Sequence, residues 1–218
     1  MQELTFRHQE AVECFGQQLD DFMTAVSAQD DLQLLAPSRC HGWSLLDVVV
    51  HVRMGLQEMA IGTTCRTDDA PDHDAASYWA THPDTRNDDP VSHILWLRRV
   101  ASAYARPTGA VAHMKDVATS AVNAVRSMSE GVVEFQGKRM ASGDFLATWV
   151  VELAVHQLDL GIDGDSPTGL AWSRMTVEAV ASSELPSELD DRSAVLIGLG
   201  RMPCPPSTRL EPPYPVSL

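Results

Sequence analysis

The sequence contains few basic residues for its length. Its 218 residues include 16 Lys and Arg against 30 Asp and Glu, which gives a formal net charge of −14. Binding to phosphate groups depends on Lys and Arg side chains, so this charge disfavours non-specific binding to nucleic acids and to anionic membranes. We therefore expect small molecules as partners, and neither nucleic acid nor a membrane.

Cysteines and long apolar runs are also scarce. The four cysteines form no CxxC pair, and a chain of this length does not depend on disulfides for stability. No apolar run approaches the roughly 20 residues that span a bilayer, and the first 15 residues lack the apolar core of a signal peptide. These absences predict a cytoplasmic protein whose cysteines are reduced and behave as small buried residues.

Apolar residues recur at spacings of three and four, the period of an α-helix, through most of the chain. Residues 1–200 are predicted to form one helical domain, and residues 201–218, which contain six prolines, a tail that cannot be helical. The predicted helices cover residues 4–28, 44–63, 91–105, 109–130, 145–160, 172–183 and 189–199.

Local signals mark where several elements begin. Ser44 followed by Asp47 is typical of a capping box, Asp89 before Pro90 of a helix start, and Thr108 and Ser142 of further N-caps. Residues 132–140 alternate between apolar and polar and predict a small β-hairpin. Residues 66–90 contain seven aspartates and are interpreted as a solvated acidic loop with a short helix at residues 75–80.

On one predicted helix, a single face contains both aromatic and ionisable residues. Phe145, Trp149, Glu152, His156 and Asp159 are spaced four, three, four and three, so they lie along one face. Burying an unpaired carboxylate costs on the order of several kcal/mol, so this line requires partners or a metal ion. Two interpretations are open. Either the Glu and His hold one cation, or they form a hydrogen bond at a partly exposed helix end.

His51 on the second predicted helix is the natural third ligand for such a cation. Long amphipathic helices with one polar line facing inward favour a bundle whose site lies in its core, and Gly55, one turn after His51, leaves room there. Two His and one Glu fit Zn²⁺ with an open coordination position, and the same set fits non-haem Fe(II). The alternative for His51 is a core histidine with satisfied hydrogen bonds.

Two segments resemble the motifs of a known family. CHGWSLLDVVVHV (residues 40–52) resembles the C-x-G-W-[ST]-x-x-D-V-x-x-H signature of the DinB-like family, and VVELAVHQLDL (residues 150–160) resembles its second motif, E-x-x-x-H-x-x-D. SAVLIGLGRMP resembles the family's last helix, which ends in Gly-Arg. Over nearly its whole length the chain looks like the branch of mycothiol-dependent maleylpyruvate isomerases and mycothiol S-transferases.

This resemblance implies an all-α fold: a DinB-like four-helix bundle with a small β-hairpin before the metal-binding helix and extra C-terminal helices. It implies that His51, Glu152 and His156 hold a divalent metal, above all Zn²⁺, with Ni²⁺ and Fe²⁺ as alternatives. It further implies a thiol S-transferase or a thiol-cofactor isomerase, monomeric or homodimeric. In such an enzyme the metal deprotonates mycothiol or another low-molecular-weight thiol, which attacks a small electrophile.

Other residues are candidates for supporting roles. Asp47 and Asp159 are candidates for orienting the ligating imidazoles, with a helix cap and a solvated helix end as the respective alternatives. Trp43 and Trp149 are candidates for the pocket wall, with core packing as the alternative. Arg53 is a candidate for contacting an anionic substrate, with a surface position as the alternative.

Two features differ from the family pattern. His41 stands where relatives often carry Pro, and it is a fourth ligand, a proton shuttle or a residue without a role. About sixty residues follow His156, where the isomerase carries an extra α/β domain, and this weighs against maleylpyruvate as the substrate. The alternative functions are maleylpyruvate isomerase proper, metal-dependent hydrolysis, and a metal-binding interaction module without turnover.

Overall fold

The computed structural model describes residues 2–82, 90–206, 208, 210 and 212–218. Within these residues the chain forms eight α-helices: α1 (His8–Ser27), α2 (Leu45–Gly62), α3 (Ala75–Ala80), α4 (Pro90–Ala101), α5 (Pro107–Ser127), α6 (Ser142–Asp159), α7 (Leu170–Ala181) and α8 (Asp191–Gly198). A 3₁₀ turn covers Gln33–Leu35, and the three strands are β1 (Arg66–Thr67), β2 (Val132–Phe135) and β3 (Lys138–Ala141).

The four long helices form the predicted bundle. Helix α1 packs along α6 and α2 along α5, while contacts between α1 and α5 and between α2 and α6 close the arrangement. Large apolar side chains, among them Phe15, Phe22 and Phe145, are fully buried between these helices. Outside the bundle, α4 packs on α2, α3 and α7 pack on α6, and α8 packs on α7. The prediction of a helix bundle with extra C-terminal helices is confirmed.

The helix starts agree only in part with the sequence signals. The capping box of α2 is confirmed, because the Ser44 hydroxyl accepts from the Asp47 amide and the Asp47 carboxylate accepts from the Ser44 amide. The predicted cap at Thr108 is wrong. Helix α5 begins at Pro107, where the missing N–H costs nothing, and the Thr108 amide donates to Asp31. The Asp89 signal lies outside the described residues.

The predicted cap at Ser142 is also wrong. Ser142 is the first residue of α6, and its hydroxyl accepts a hydrogen bond from the Gly131 amide at 3.2 Å. The Ser142 amide in turn donates to the Gly131 carbonyl at 2.8 Å. These two bonds attach the start of α6 to the segment that leads into β2.

The β-hairpin is confirmed, but the sheet has a third strand. β2 and β3 pair antiparallel through a turn in which Gln136 and Gly137 both have positive φ, as hairpin turns of this length require. β1 pairs with the outer edge of β2. The acidic connection is therefore not only a solvated loop, since Asp69 and Asp72 form ion pairs with Arg139 on β3.

The C-terminal residues lie against the last two helices. The Val216 amide donates to the Gly198 carbonyl at 2.9 Å, and Tyr214 packs with Val216 on a small apolar cluster of α7 and α8. In the described part of the chain, every helix is too short or too polar to cross a bilayer.

Candidate metal centre

Three side chains from two helices converge at the middle of the bundle. His51 projects from α2, and Glu152 and His156 lie one turn apart on α6. The His51 Nε2 atom is 2.9 Å from Glu152 Oε1, and His156 Nε2 is 3.3 Å from the same oxygen. All three ligand atoms lie within 4.8 Å of one another. The fold therefore brings together the three residues that the sequence predicts as ligands.

This geometry fits a divalent metal ion. Ligand atoms placed tetrahedrally around Zn²⁺ at about 2.0–2.1 Å are about 3.3 Å apart, close to the observed separations. The His51 and Glu152 side chains are 25% and 20% exposed, whereas the His156 side chain is 9% exposed. The cluster is thus anchored on its inner side and open on its outer side, as a site with one free coordination position requires.

Asp159 contacts the imidazole nitrogen of His156 that does not face Glu152. Its Oδ2 atom is 3.2 Å from His156 Nδ1 and accepts a hydrogen bond from the Cys40 thiol at 3.0 Å. Its Oδ1 atom is 3.2 Å from Arg201 Nε, and the carboxylate is fully buried. A proton on His156 Nδ1 donated to this carboxylate leaves Nε2 free to bind a metal, the arrangement that supporting carboxylates give to ligating histidines.

The charges of this cluster stabilise one another. Burial alone would raise the pKa of Glu152, but the charge of His156 and the hydrogen bonds from both histidines hold it well below its usual range. Burial would lower the pKa of His156, but Glu152, Asp159 and Cys40 raise it well above its usual range. The pKa of Asp159 is lowered, against the effect of burial, by His156 and Arg201. Both carboxylates are therefore ionised near neutral pH and His156 is protonated, so a metal ion would have to displace the Nε2 proton of His156.

Cys40, His156 and Asp159 form a second group whose ligand atoms lie within 4.8 Å of one another. All three residues are buried, and burial raises the pKa of the Cys40 thiol, so the sulfur stays protonated and donates to Asp159. A cation there would displace the bond that orients His156. The first group, which opens outward, is the better metal site.

A cavity of about 490 Å³ lies in front of the three ligands. The Trp43 ring stacks on His156 with centroids 6.2 Å apart and contacts His51 at 5.0 Å. Trp149 forms another wall, so both predicted tryptophans line the cavity. The lining also includes residues from α3 and α4 and the hairpin turn that were not expected there: Tyr78, Trp79, His93 and Gln136.

The remaining candidates have other positions. Asp47 bonds to Ser44 and serves as the helix cap that the sequence offered as its alternative. Arg53 is 7% exposed, its Nη1 atom donates to Gln57, and it is absent from the described residues that line the cavity. His41 is exposed and lines the cavity mouth.

Sequence reasoning missed the roles of Cys40 and Arg201. The thiol contacts Asp159 across 119 positions of sequence, and Arg201 reaches the same carboxylate from beyond α8. The available signal was that both residues belong to segments that resemble the family motifs. Their individual contacts required the folded chain.

Comparisons with known proteins agree with the fold. The family model described as the mycothiol maleylpyruvate isomerase N-terminal domain matches residues 15–161, more than half of the chain. A crystal structure of a histidine-to-alanine mutant of the mycothiol-dependent maleylpyruvate isomerase matches with a TM-score of 0.54 and 16% identity. The match covers 80% of this chain and 72% of the isomerase chain. At 16% identity it shows similarity of fold alone. Among curated proteins, none matches the chain. The chain thus belongs to the family of the mycothiol maleylpyruvate isomerase N-terminal domain, within the DinB-like branch.

Proposed function

We propose that the protein is a divalent-metal-dependent thiol S-transferase or thiol-cofactor isomerase, with mycothiol or a similar small thiol as its co-substrate. The observation that carries this proposal is a three-ligand cluster that opens onto a cavity of about 490 Å³. In the transferase reaction the sulfur–carbon adduct is the product. In the isomerase reaction the thiol adds to a cis double bond, and leaves after rotation about that bond.

The proposed metal is Zn²⁺, for which two imidazoles and one carboxylate are a common ligand set. When bound, it lowers the pKa of a coordinated thiol, so that a thiolate forms at neutral pH. His51, Glu152 and His156 hold the ion, and Asp159 keeps the Nδ1 proton of His156 directed away from it. Trp43 packs against both imidazoles.

The first test is the metal content of the purified protein. We expect about one divalent ion per chain in the wild type, and its loss in His51→Ala and His156→Ala, because each variant removes one of three ligands. His113→Ala is the matched control, since His113 is exposed on α5 and bonds to Tyr104. Elemental mass spectrometry of all four proteins measures these contents.

The second test is thiol consumption by the metal-loaded protein. We expect mycothiol to be consumed with a small electrophile by the wild type and by His113→Ala, and not by His51→Ala. A metal-loaded wild type that consumes no thiol with any electrophile contradicts the proposal. Turnover that does not depend on thiol supports hydrolysis instead, and absence of metal from every protein supports a binding module.

A further inference from the structure

A second cavity adjoins the candidate metal centre. It has a volume of about 580 Å³, and Cys40, His41, Trp43 and Arg201 line both cavities. One molecule can therefore occupy this groove with one end and reach the ligand cluster with the other. We call this second cavity the arginine groove.

Three arginines from separate parts of the chain line the arginine groove. Arg39 belongs to the loop before α2, Arg98 to the last turn of α4, and Arg201 follows α8. Among the described residues that line the groove, none is acidic. The Arg201 Nε atom lies 3.2 Å from the fully buried carboxylate of Asp159. Within the described residues, Arg201 is the one groove arginine that has an acidic partner.

This local charge is opposite to that of the whole protein. The chain carries a formal net charge of −14, so most of its surface repels anions. A groove lined by one sign of charge concentrates ligands of the opposite sign. The arginine groove is therefore a place where this acidic protein attracts an anion.

Arg98 is held by its side chain and Arg39 by its backbone, so most of their guanidinium donors stay available. Arg98 Nη2 donates to the Gly42 carbonyl at 2.6 Å, which fixes the guanidinium against the loop that carries His41. The Arg39 amide donates to the Asp159 carbonyl at 2.7 Å, which fixes the backbone next to the metal centre. Within the described residues neither Arg39 nor Arg98 has an acidic partner. A guanidinium has five N–H donors in a planar fork, so several remain for a carboxylate or a phosphate.

We propose that the arginine groove binds a carboxylate or phosphate group of the electrophilic substrate, with Arg39 and Arg98 as its main ligands. Arg201, on the wall shared with the first cavity, directs the rest of that molecule toward the three metal ligands. A thiol held at the proposed metal would occupy the first cavity, which would leave the groove for the second reactant. The identity of that reactant rests on the proposed function, whereas the binding of the anion does not.

The test is a calorimetric titration of the full-length purified protein with succinate, with inorganic phosphate and with the neutral diamide of succinate. We expect succinate or phosphate to bind, and the diamide not to bind. Each of Arg39→Gln and Arg98→Gln should weaken binding about tenfold, because each removes a charge-assisted hydrogen bond. Whichever anion binds more tightly identifies the preferred group.

Arg99→Gln is the matched control. Arg99 follows Arg98 on α4, is also exposed, and does not line the groove. We expect it to bind the anion as the wild type does. Equal weakening by Arg99→Gln, or unchanged binding in Arg39→Gln and Arg98→Gln, overturns the proposal. The Arg39 side chain forms no hydrogen bond with the described residues, so Arg39→Gln is expected to fold, and circular dichroism checks this.

A further arm separates this proposal from the proposed function. His51→Ala should retain the anion affinity of the wild type. A loss of affinity in that variant would mean that the anion binds the metal instead, and this result overturns the proposal that the groove binds the anion. In turnover assays, Arg39→Gln should raise the KM of an anionic electrophile more than that of its neutral amide. If no thiol is consumed, the proposed function fails, while the titration still decides whether the groove binds anions.

Discussion

At the scale of single residues, one buried carboxylate organises the candidate centre. Asp159 contacts His156, Cys40 and Arg201, which belong to α6, to the loop before α2 and to the segment after α8. A fully buried charge is stable only with such partners. The orientation of the candidate ligand His156 therefore depends on Asp159, which is itself held by contacts from other regions, so a change at Asp159 is expected to affect metal affinity.

We expect Asp159→Asn to weaken metal binding about 10- to 100-fold, because the amide no longer fixes the proton position of His156. Titration with Zn²⁺ against a competing chelator measures this affinity. Asp47→Asn is the control, since Asp47 caps α2 and does not bond to a ligand. That variant should lose about 1 kcal/mol of stability and keep its metal affinity. Equal metal affinity in Asp159→Asn and the wild type would show that Asp159 has no orienting role.

The four cysteines should differ in their reactivity toward a thiol reagent. Burial raises the pKa of Cys14 to about 11 and also raises that of Cys40, whereas Cys65 is exposed. A shift from 9 to 11 reduces the thiolate fraction about a hundredfold. At pH 8 we expect Cys65 to react before Cys14 and Cys40, so that Cys65→Ser slows the early phase seen by absorbance more than Cys14→Ser or Cys40→Ser does. A fast phase that persists in Cys65→Ser and disappears in Cys40→Ser would contradict this order.

The three candidate ligands could be named from the sequence, but the contacts that support them could not. The spacing of Glu152 and His156 on one helix face is visible in the chain, whereas His51 was proposed from the predicted bundle and from the resemblance to the family motifs, with a core histidine as its alternative. The contacts of Asp159 with Cys40 and Arg201 depend on how the loops approach α6, which no local period encodes. For Asp47 the sequence allowed two roles, a helix cap and a carboxylate that orients a histidine. The structure shows the bonds of the cap.

At the scale of the elements, glycines bring α2 close to its neighbours. A Cβ atom at Gly55 would lie 3.0 Å from the Trp149 ring, and one at Gly62 would lie 2.8 Å from Phe135 and 3.1 Å from Phe145. Real Cβ contacts are seldom that short, so only glycine fits without movement of the rings. This close approach places His51 within reach of α6.

We expect Gly55→Ala to be less stable than Gly16→Ala by about 1–3 kcal/mol, the usual cost of overfilling a packed site. Both glycines lie inside helices, so both substitutions gain about 1 kcal/mol of helix propensity. Gly16 has no atom within 4 Å of its Cβ position, so that variant should be stabilised relative to wild type. Urea unfolding measures both. An equal gain in the two variants would mean that the Trp149 ring moves away without cost.

Helical periodicity predicted the helices well, because their apolar stripes face one core. It failed for β1, since two residues are too few to show a period and pair only because β2 offers an edge. The local start signals failed at Thr108 and Ser142, where the proline at the first helical position and a contact with Gly131 decide the start. Local signals were reliable where the cap partners are neighbours in sequence, as in α2.

At the scale of the whole molecule, the N-terminal segment ties helices together. The Phe6 ring packs at a tilt against Trp172 of α7 with a centroid distance of 4.3 Å, and the Phe6 amide donates to Asp144 Oδ1 of α6 at 2.7 Å. The Phe6 carbonyl lies against Gly143, where a side chain would not fit. Asp144 is 3% exposed, so this link places a carboxylate in the interior.

Burial of Asp144, together with the charges of Asp74 and Glu3, raises its pKa to about 6, although the Phe6 amide acts in the opposite direction. The folded protein therefore binds this proton more tightly than the unfolded chain does, whose pKa is near 3.8. This contribution to stability is fully present below about pH 4 and is lost as the pH rises through about 6. Above that pH the folded state carries a buried charge.

We therefore expect Asp144→Asn to be more stable than the wild type at pH 7.5, by a margin that narrows at pH 4.5. The amide oxygen still accepts from Phe6, but no charge is buried. Thermal unfolding at both pH values measures the two margins. Asp20→Asn on the exposed side of α1 is the control for removal of one negative charge. Its stability difference from the wild type should not grow between pH 4.5 and pH 7.5 as that of Asp144→Asn does. A margin for Asp144→Asn that is equal at both pH values would show that Asp144 does not couple the N-terminal link to pH.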